Sequence, residues 1–363
     1  MNSIRESGID TIEVKIQSSL PKALEISLKG RIDLHNEEGI PYGNIFTNKG
    51  GLKNSGGGFI NLSFNMPKAI GRGTNVMPFT ISDSIRHEMI GGTIYKDIKR
   101  ELGISDSENI SSRVSNVEIN VTTEVDIGTT CHKVIDLFIQ SIATKKSKQE
   151  KVFVHGEIDK RTNTVKKVYH GLFSRKLKTM EGGEYYVKIY DKDYEQWYKN
   201  NRGKKANLPE ENKRKIRIEI LMEDSLLKKL FNSKELTVES ITKPKAVEIL
   251  CNEYKRILEE EIFENHIQKF IQDTIKHCLV PHLLEHGSYV KAYTEFKEKI
   301  VDGSMMKEAL VKYYNIQKST GWLSSNAKIS VYVAKAMKYL RDNHHIDELN
   351  GTLKTIENAI QRA

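Results

Sequence analysis

Four short segments of the sequence alternate apolar and polar residues, and chemically reactive side chains occupy their polar positions. Such alternation is typical of strands in a sheet that packs one face and leaves the other in water. If the four strands share one sheet, two carboxylates, two cations and a phenol share its polar face. Those residues are Glu118, Lys188, Tyr190, Arg217 and Glu219. For any one strand alone, a merely solvated polar face is the simpler interpretation.

These residue types suit chemistry on a phosphodiester. Glu118 and Glu219 are candidate ligands for Mg²⁺ or Mn²⁺, which prefer hard oxygen donors. Lys188 and Arg217 are candidate phosphate contacts. Tyr190 is the candidate nucleophile, and a nearby cation and lysine would favour its phenolate. The set predicts transesterification, in which a covalent phosphotyrosine conserves the bond energy so that the strand can be rejoined.

The elements that must position this face divide the chain into two parts. Apolar residues recur with period two through much of the first part, interrupted by a helical pattern over residues 82–102 and a predicted loop over residues 36–58. Helical spacing dominates the second part. We therefore predict an α+β fold, with a mostly antiparallel sheet and helices on one face over residues 1–232 and a helical domain over residues 233–363.

Composition limits the class of protein. The chain has 363 residues, a net charge of +9 and a pI near 9.1, which favour a polyanionic partner. No apolar run reaches the roughly 20 residues that cross a bilayer, so we expect no membrane partner. Three cysteines without paired spacing fit a reducing compartment. We therefore predict a cytoplasmic protein that binds nucleic acid.

Two basic regions are candidate DNA contacts. The first precedes the Glu219 strand and contains Lys204, Lys205, Lys213 and Arg214. The second contains Lys328 and Lys335, within residues 319–345, where the pattern allows a DNA-binding helix-turn-helix. Both regions would contact phosphates if they flank the polar face. The simpler alternatives are a solvated charged loop and an ordinary amphipathic helix.

Histidines form weaker candidates for a metal site. One group lies within residues 277–286 and contains His277, Cys278, His282 and His286. As a set, their offsets do not share one helical face, and Pro281 interrupts the segment. His155 and His170 lie on the two strands of a predicted hairpin, where a structural or surface role is the simpler interpretation.

Several short motifs follow one another in an order that points to a known family. They occupy residues 9–16, 64–68, 73–76, 117–120, 190–195 and 215–219. Together they resemble the gene II/gene X replication proteins of filamentous phages and similar initiators of rolling-circle plasmids. The resemblance covers roughly residues 9–232. It implies a nuclease-like fold for that part and leaves a phage or a plasmid source open.

The resemblance implies roles for several residues. Tyr190 matches the nicking tyrosine, with Tyr186 and Tyr194 as rivals, and Lys192 would neutralise the phosphate or protonate the leaving oxygen. A solvated Lys192 is the alternative. Glu118 and Glu219 match metal-binding positions. The chain lacks the His-hydrophobe-His metal motif, and Asn61 and Ser63 stand where many relatives carry a glutamate. At least one further metal ligand is therefore missing from the predicted set.

The implied function is a rolling-circle DNA replication initiator. Such a protein nicks one strand at a replication origin and rejoins it through a 5′-phosphotyrosine, with Mg²⁺ or Mn²⁺ as cofactor. Its partners would be double- and single-stranded origin DNA, the host helicase and the host polymerase. The resemblance leaves the oligomeric state open. The alternative is a non-catalytic, sequence-specific DNA-binding regulator on the same scaffold. RNA binding is less favoured because no stacking motif is recognisable.

Overall fold

The protein is described by a computed structural model. It covers residues 7–18, 31–47, 58–72, 77–105, 107, 110–125, 128–142, 151–159, 164–201, 214–233, 235–296 and 303–321, with the single positions 331, 334, 335, 338 and 358. Within these residues the chain has an α+β fold, as predicted, with one extensive sheet and many helices.

In the part of the chain that the structure describes, ten strands form the sheet, and all their pairings are antiparallel. They are β1 (Gly8–Ser18), β2 (Ile32–His35), β3 (Pro41–Thr47), β4 (Gly58–Asn65), β5 (Ser112–Val125), β6 (Lys151–Asp159), β7 (Thr164–Phe173), β8 (Leu177–Lys178), β9 (Glu184–Asp191) and β10 (Arg214–Glu223). The spatial order is β2-β3-β4-β1-β5-β10-β9-β7-β6, and β8 pairs with β9. The strands that carry the predicted polar face therefore lie at its centre.

Among the described residues, seven helices accompany the strands before Pro244, and every described element after that is a helix. They are α1 (Met66–Ala69), α2 (Ile81–Arg86), α3 (Ile90–Leu102), α4 (Gly128–Ile142), α5 (Lys192–Asn200), α6 (Asp224–Phe231) and α7 (Val238–Ile241). The predicted helix over residues 82–102 is thus two helices, α2 and α3. A Thr80–Asp83 capping box starts α2, and a turn over residues 87–89 ends it. The predicted loop over residues 36–58 contains β3, whose Tyr42 and Ile45 are buried.

A long helical run follows from Pro244 to His286. Its parts are α8 (Pro244–Arg256), a π-helical segment (Ile257–Gln268), α9 (Lys269–Thr274), a second π-helical segment (Ile275–Leu279) and α10 (Val280–His286). Two further helices are α11 (Tyr289–Phe296) and α12 (Gly303–Ser319). Among the described helices, none combines the length and apolar content needed to cross a bilayer. The predicted helix-turn-helix over residues 319–345 lies mostly outside the described residues.

The apolar face of the sheet packs against α4, α8 and the first π-helical segment. Ile216, Ile218 and Ile220 of β10 are buried in this layer, and β-branched residues suit such a strand. The Tyr254 hydroxyl of α8 donates a 3.0 Å hydrogen bond to the Ile218 carbonyl. This hydrophobic cluster continues to Ile267, beyond the predicted boundary at residue 232. A second cluster joins helices from Ile275 to Leu310. The domain boundary itself stays a prediction.

From the packing of α3 against α7 we predict opposite effects of alanine substitutions at two adjacent glycines. A Cβ added to Gly91 would lie 2.6 Å from the Glu239 Cα and 2.7 Å from the Thr242 Oγ1, so one of the helices would have to shift. We expect Gly91→Ala to lower the free energy of unfolding by about 1–3 kcal/mol. An added Cβ at Gly92 meets only the Glu239 carboxylate, at 3.6 Å.

The matched variant Gly92→Ala should raise the free energy of unfolding by up to about 1 kcal/mol, because alanine is the better helix former. Urea denaturation of both variants measures the difference. Equal effects of the two substitutions would contradict the close α3–α7 contact.

Candidate functional site

Three buried carboxylates meet at the centre of the sheet. Asp10 lies on β1, Glu118 on β5 and Glu219 on β10, which are adjacent strands. One carboxylate oxygen from each lies within 4.8 Å of the other two. Rigid neighbouring strands rather than loops therefore fix this cluster. The structure brings together the two predicted metal ligands and adds Asp10, which was not among the predicted site residues.

A β-bulge explains why Asp10 was missed. Ile12, Val14 and Ile16 alternate on the apolar face, and strict alternation would place Asp10 among them. The pairing of β1 with β5 instead shifts register between Ile9 and Thr11. The extra residue at a bulge re-aims its side chain, so Asp10 reaches the polar face. A visible signal was Ile9, an apolar residue out of phase with the isoleucines that follow.

Two cations neutralise part of this negative charge. The Lys188 ammonium of β9 donates a hydrogen bond to Glu118 and lies 3.4 Å from the Glu219 Oε2. The Arg217 Nη1 lies 3.7 Å from the Glu219 Oε1 and 3.9 Å from the Asp10 Oδ1. The Arg217 Nε also donates a 2.9 Å hydrogen bond to the Thr122 hydroxyl. Because Arg217 is 0% exposed, this geometry favours charge balance over the direct DNA contact predicted for it.

The Tyr190 hydroxyl points into the carboxylate cluster. It donates a 2.5 Å hydrogen bond to the Glu219 Oε1, and Tyr190 pairs across the strands with Arg217. Burial, followed by the charge of Glu219, raises the pKa of Tyr190 well above its usual value. The phenol is therefore held protonated here, with a carboxylate oxygen positioned to accept its proton.

The rival tyrosines have other surroundings. The Tyr186 ring stacks on Phe173, with ring centroids 5.5 Å apart. The Tyr194 ring stacks on His170, with ring centroids 3.5 Å apart and planes inclined by 7°. Among the three candidates, Tyr190 alone has a described hydrogen bond to a residue of the carboxylate cluster. Its assignment as nucleophile stays a prediction.

Lys192, the other predicted catalytic residue, begins α5 and is buried beside Tyr190. Its ammonium lies 5.5 Å from the centre of the Tyr190 ring and donates a 2.7 Å hydrogen bond to Glu195. Burial, followed by the positive charge of Arg217, lowers the pKa of Lys192. A lysine in this state exchanges a proton more readily than a solvated one.

The electrostatics of the cluster fit a divalent cation. Burial, followed by the charge of Glu219, raises the pKa of both Asp10 and Glu118, although Arg217 acts to lower the first and Lys188 the second. Asn120, also buried, pairs across the strands with Glu219. Neither of its amide atoms has a hydrogen-bond partner among the described residues. Three carboxylates and a spare amide oxygen form a suitable hard donor set.

The structure describes few of the remaining residues that were predicted to contact DNA. Lys204, Lys205, Lys213 and Lys328 lie outside the described residues. Arg214 is buried on β10, where its Nη1 lies 3.8 Å from the Asp191 Oδ2. Lys335 is exposed in a helical position. Direct contacts from these residues to DNA stay predictions.

Comparisons with known proteins leave the family open. No protein-family model and no curated protein matches the chain. Among solved structures, the chain is similar to a rolling circle replication initiator protein from Geobacillus stearothermophilus, at 10% identity and a TM-score of 0.29. The match covers 70% of this chain and 84% of that chain. At that TM-score the likeness carries no argument, and membership of the gene II/gene X family stays a prediction.

The buried carboxyl of Glu118 predicts a pH dependence of stability. Burial and Glu219 raise the pKa of Glu118 to about 8, whereas an unfolded glutamate has a pKa of about 4.3. Between these values the folded protein keeps a proton that the unfolded chain has released. Without metal, the free energy of unfolding should therefore fall as pH rises through this window, by up to about 1.4 kcal/mol per pH unit.

Denaturation in EDTA at several pH values measures this slope. Glu118→Gln should flatten it, whereas Glu248→Gln, at a partly exposed position on α8, should keep the wild-type slope. A wild-type slope in Glu118→Gln would contradict the raised pKa.

Proposed function

We propose that this protein is a DNA nicking-closing enzyme that initiates rolling-circle replication, with Tyr190 as the nucleophile. The observation that carries the proposal is the hydrogen bond from the Tyr190 hydroxyl to Glu219, a member of the Asp10–Glu118–Glu219 cluster. A nucleophile, a proton acceptor and a hard-cation donor set thus adjoin one another on rigid strands. This combination suits attack on a phosphodiester better than it suits binding alone.

The cofactor in this proposal is Mg²⁺ or Mn²⁺, held by Asp10, Glu118 and Glu219. When bound, it would polarise the scissile phosphate and stabilise the charge that develops there. The donor set is all oxygen, which favours these ions over softer transition metals.

The protein's own residues account for the bond changes. The Tyr190 oxygen attacks the phosphorus while Glu219 accepts the phenolic proton. A tyrosine–phosphorus ester bond forms, and the bond from phosphorus to the 3′ oxygen breaks. Lys192 donates a proton to that leaving oxygen, which becomes a free 3′ hydroxyl. In the reverse direction, the 3′ hydroxyl attacks the phosphotyrosine and the strand is rejoined.

Lys188 and Arg217 have different roles in this proposal. Lys188 is only partly buried, and its ammonium is the one placed to contact a phosphate once a divalent cation balances Glu118 and Glu219. Arg217 stays below the surface and holds Tyr190 and the carboxylates in register. The basic residues that precede β10 in the sequence and the C-terminal lysines would supply the remaining phosphate contacts.

One observation favours a second candidate, the non-catalytic DNA-binding regulator. Lys188 already bridges Glu118 and Glu219, so the polar network is partly neutralised by the chain itself. In that case the face would be a buried ion-pair network with no catalytic cation. Measurements of adduct formation and of metal binding separate the two candidates.

Replacing Tyr190 by phenylalanine tests the nucleophile. With a supercoiled replicon that carries the protein's own origin, and Mg²⁺ or Mn²⁺, the wild-type protein should form a covalent adduct that denaturing electrophoresis resolves. Tyr190→Phe should form none, because the attacking oxygen is gone, but should still bind the DNA. The matched control Tyr194→Phe should keep the adduct. Adduct formation by Tyr190→Phe would overturn the assignment, and binding without any wild-type adduct would support the regulator.

Removing one carboxylate tests the cation site. Asp10→Asn keeps the size of the side chain but removes a charged ligand, so we expect Mn²⁺ affinity to fall at least about tenfold in titration calorimetry. Asp33→Asn, at an exposed carboxylate on β2, should leave the affinity unchanged. Equal Mn²⁺ affinity in Asp10→Asn and wild-type protein would exclude Asp10 as a ligand.

A further inference from the structure

A second group of metal-ligand side chains lies at the end of β9, on the opposite face of the sheet from Tyr190. It consists of His132 from α4, His170 from β7 and Asp191, the last residue of β9. One ligand atom from each lies within 4.8 Å of the other two. His170 and Asp191 are buried, and His132 is half-buried. Three separate elements therefore converge on one small volume.

The spacing of His132 and Asp191 is that of two ligands around one ion. The His132 Nε2 lies 3.6 Å from the Asp191 Oδ2, and neither atom makes a hydrogen bond among the described residues. This separation is too long for a hydrogen bond. Zinc bonds of about 2.0–2.2 Å in tetrahedral geometry place neighbouring ligand atoms about 3.3–3.6 Å apart.

Contacts from Tyr194 orient two of the three donors. The Asp191 Oδ1 accepts a 2.9 Å hydrogen bond from the Tyr194 backbone N–H at the start of α5, which leaves Oδ2 directed at His132. The Tyr194 ring lies flat on the His170 imidazole. The two imidazole planes meet at 80°, with ring centroids 4.8 Å apart. A hydrogen bond to the second oxygen of a ligating carboxylate, as at Asp191, is characteristic of metal sites.

We propose that His132, His170 and Asp191 bind a divalent transition-metal ion of the zinc type. Two imidazoles and a carboxylate form a donor set that suits Zn²⁺, in contrast to the all-oxygen set around Glu219. The ion would tie α4 and β7 to the junction between β9 and α5. This junction places Tyr190 immediately before Asp191 and Lys192 immediately after it.

The ion has a structural role in this proposal. If the proposed function holds, it stabilises the positions of Tyr190 and Lys192 without contacting the substrate. The binding site itself depends only on the three ligands. Zinc binding can therefore be measured without DNA, and its failure would leave the proposed nicking chemistry standing.

Arg214 supplies an opposing charge that sharpens the test. Its Nη1 lies 3.8 Å from the Asp191 Oδ2, so it competes with a cation for the same carboxylate. Removing a ligand and removing this competitor should change zinc affinity in opposite directions. A general loss of folding would not produce opposite changes.

The experiment measures Zn²⁺ affinity and stoichiometry on the full chain by competition with a chromophoric chelator, in excess Mg²⁺. All proteins carry His286→Ala, because the His282 and His286 rings lie 4.4 Å apart on α10 beside Glu295 and form a second possible zinc ligand pair. We expect one equivalent of Zn²⁺ in this background. His132→Ala should weaken it at least about tenfold, and Arg214→Gln should strengthen it.

Two further variants serve as controls, with circular dichroism as the check on folding. His87→Ala removes an exposed histidine and should leave zinc affinity unchanged. Asp10→Asn should also leave it unchanged, since it affects the other cluster. Co²⁺ should give the absorption spectrum of a four-coordinate site that His170→Ala loses. Equal zinc affinity in the His286→Ala parent and in its His132→Ala and His170→Ala derivatives would overturn the proposal.

Discussion

The mutual repulsion of three carboxylates, held out of water on adjacent central strands, is the constraint on which the rest of the site depends. Two like charges 4 Å apart repel by about 4 kcal/mol at an effective dielectric constant near 20. Strands fixed by ladders on both sides cannot separate to relieve this repulsion. The charge must instead be met by protons, by Lys188 and Arg217, or by a bound cation. Burial, followed by the charge of Glu219, raises the pKa of Asp10 and Glu118 despite the two side-chain cations, so protons or a bound cation are favoured at these carboxylates.

The apolar layer makes this arrangement possible. Isoleucines of β10 and the helices beneath them hold one face of the sheet together, and the same strands carry charged residues on the other face. A buried ionic network contributes little net stability and is costly when incomplete. The hydrophobic layer therefore supplies the stability of the sheet, and the residues of the polar face can instead serve the chemistry of the site. At the end of β9 the two faces separate neighbouring residues. Tyr190 and Asp191 project to opposite faces and belong to different clusters.

Period-two alternation correctly predicted that these strands share a sheet with one apolar face, because the pattern reflects the burial of one face of a strand. It located Glu118, Lys188, Tyr190, Arg217 and Glu219 on strands that do share a sheet. It could not show that Arg217 is covered, since burial depends on which neighbours fold over a side chain. The split of residues 82–102 into α2 and α3 comes from a turn over residues 87–89, which helical spacing of the apolar residues does not reveal. His132 and His170 lie far apart in the sequence and come together only through tertiary packing, so no local pattern reveals the pair.

The bulge at Asp10 has a consequence for how this site tolerates change in the chain. In a regular strand, a substitution alters one side chain and leaves every other on its face. Here the face that Asp10 occupies is set by one extra residue in β1, so the number of residues before Ile12 matters as much as their identity. If the bulge were straightened with every residue kept, strict alternation would turn the Asp10 carboxylate toward the isoleucines. The ligand set therefore depends on this backbone irregularity as well as on the identity of its side chains.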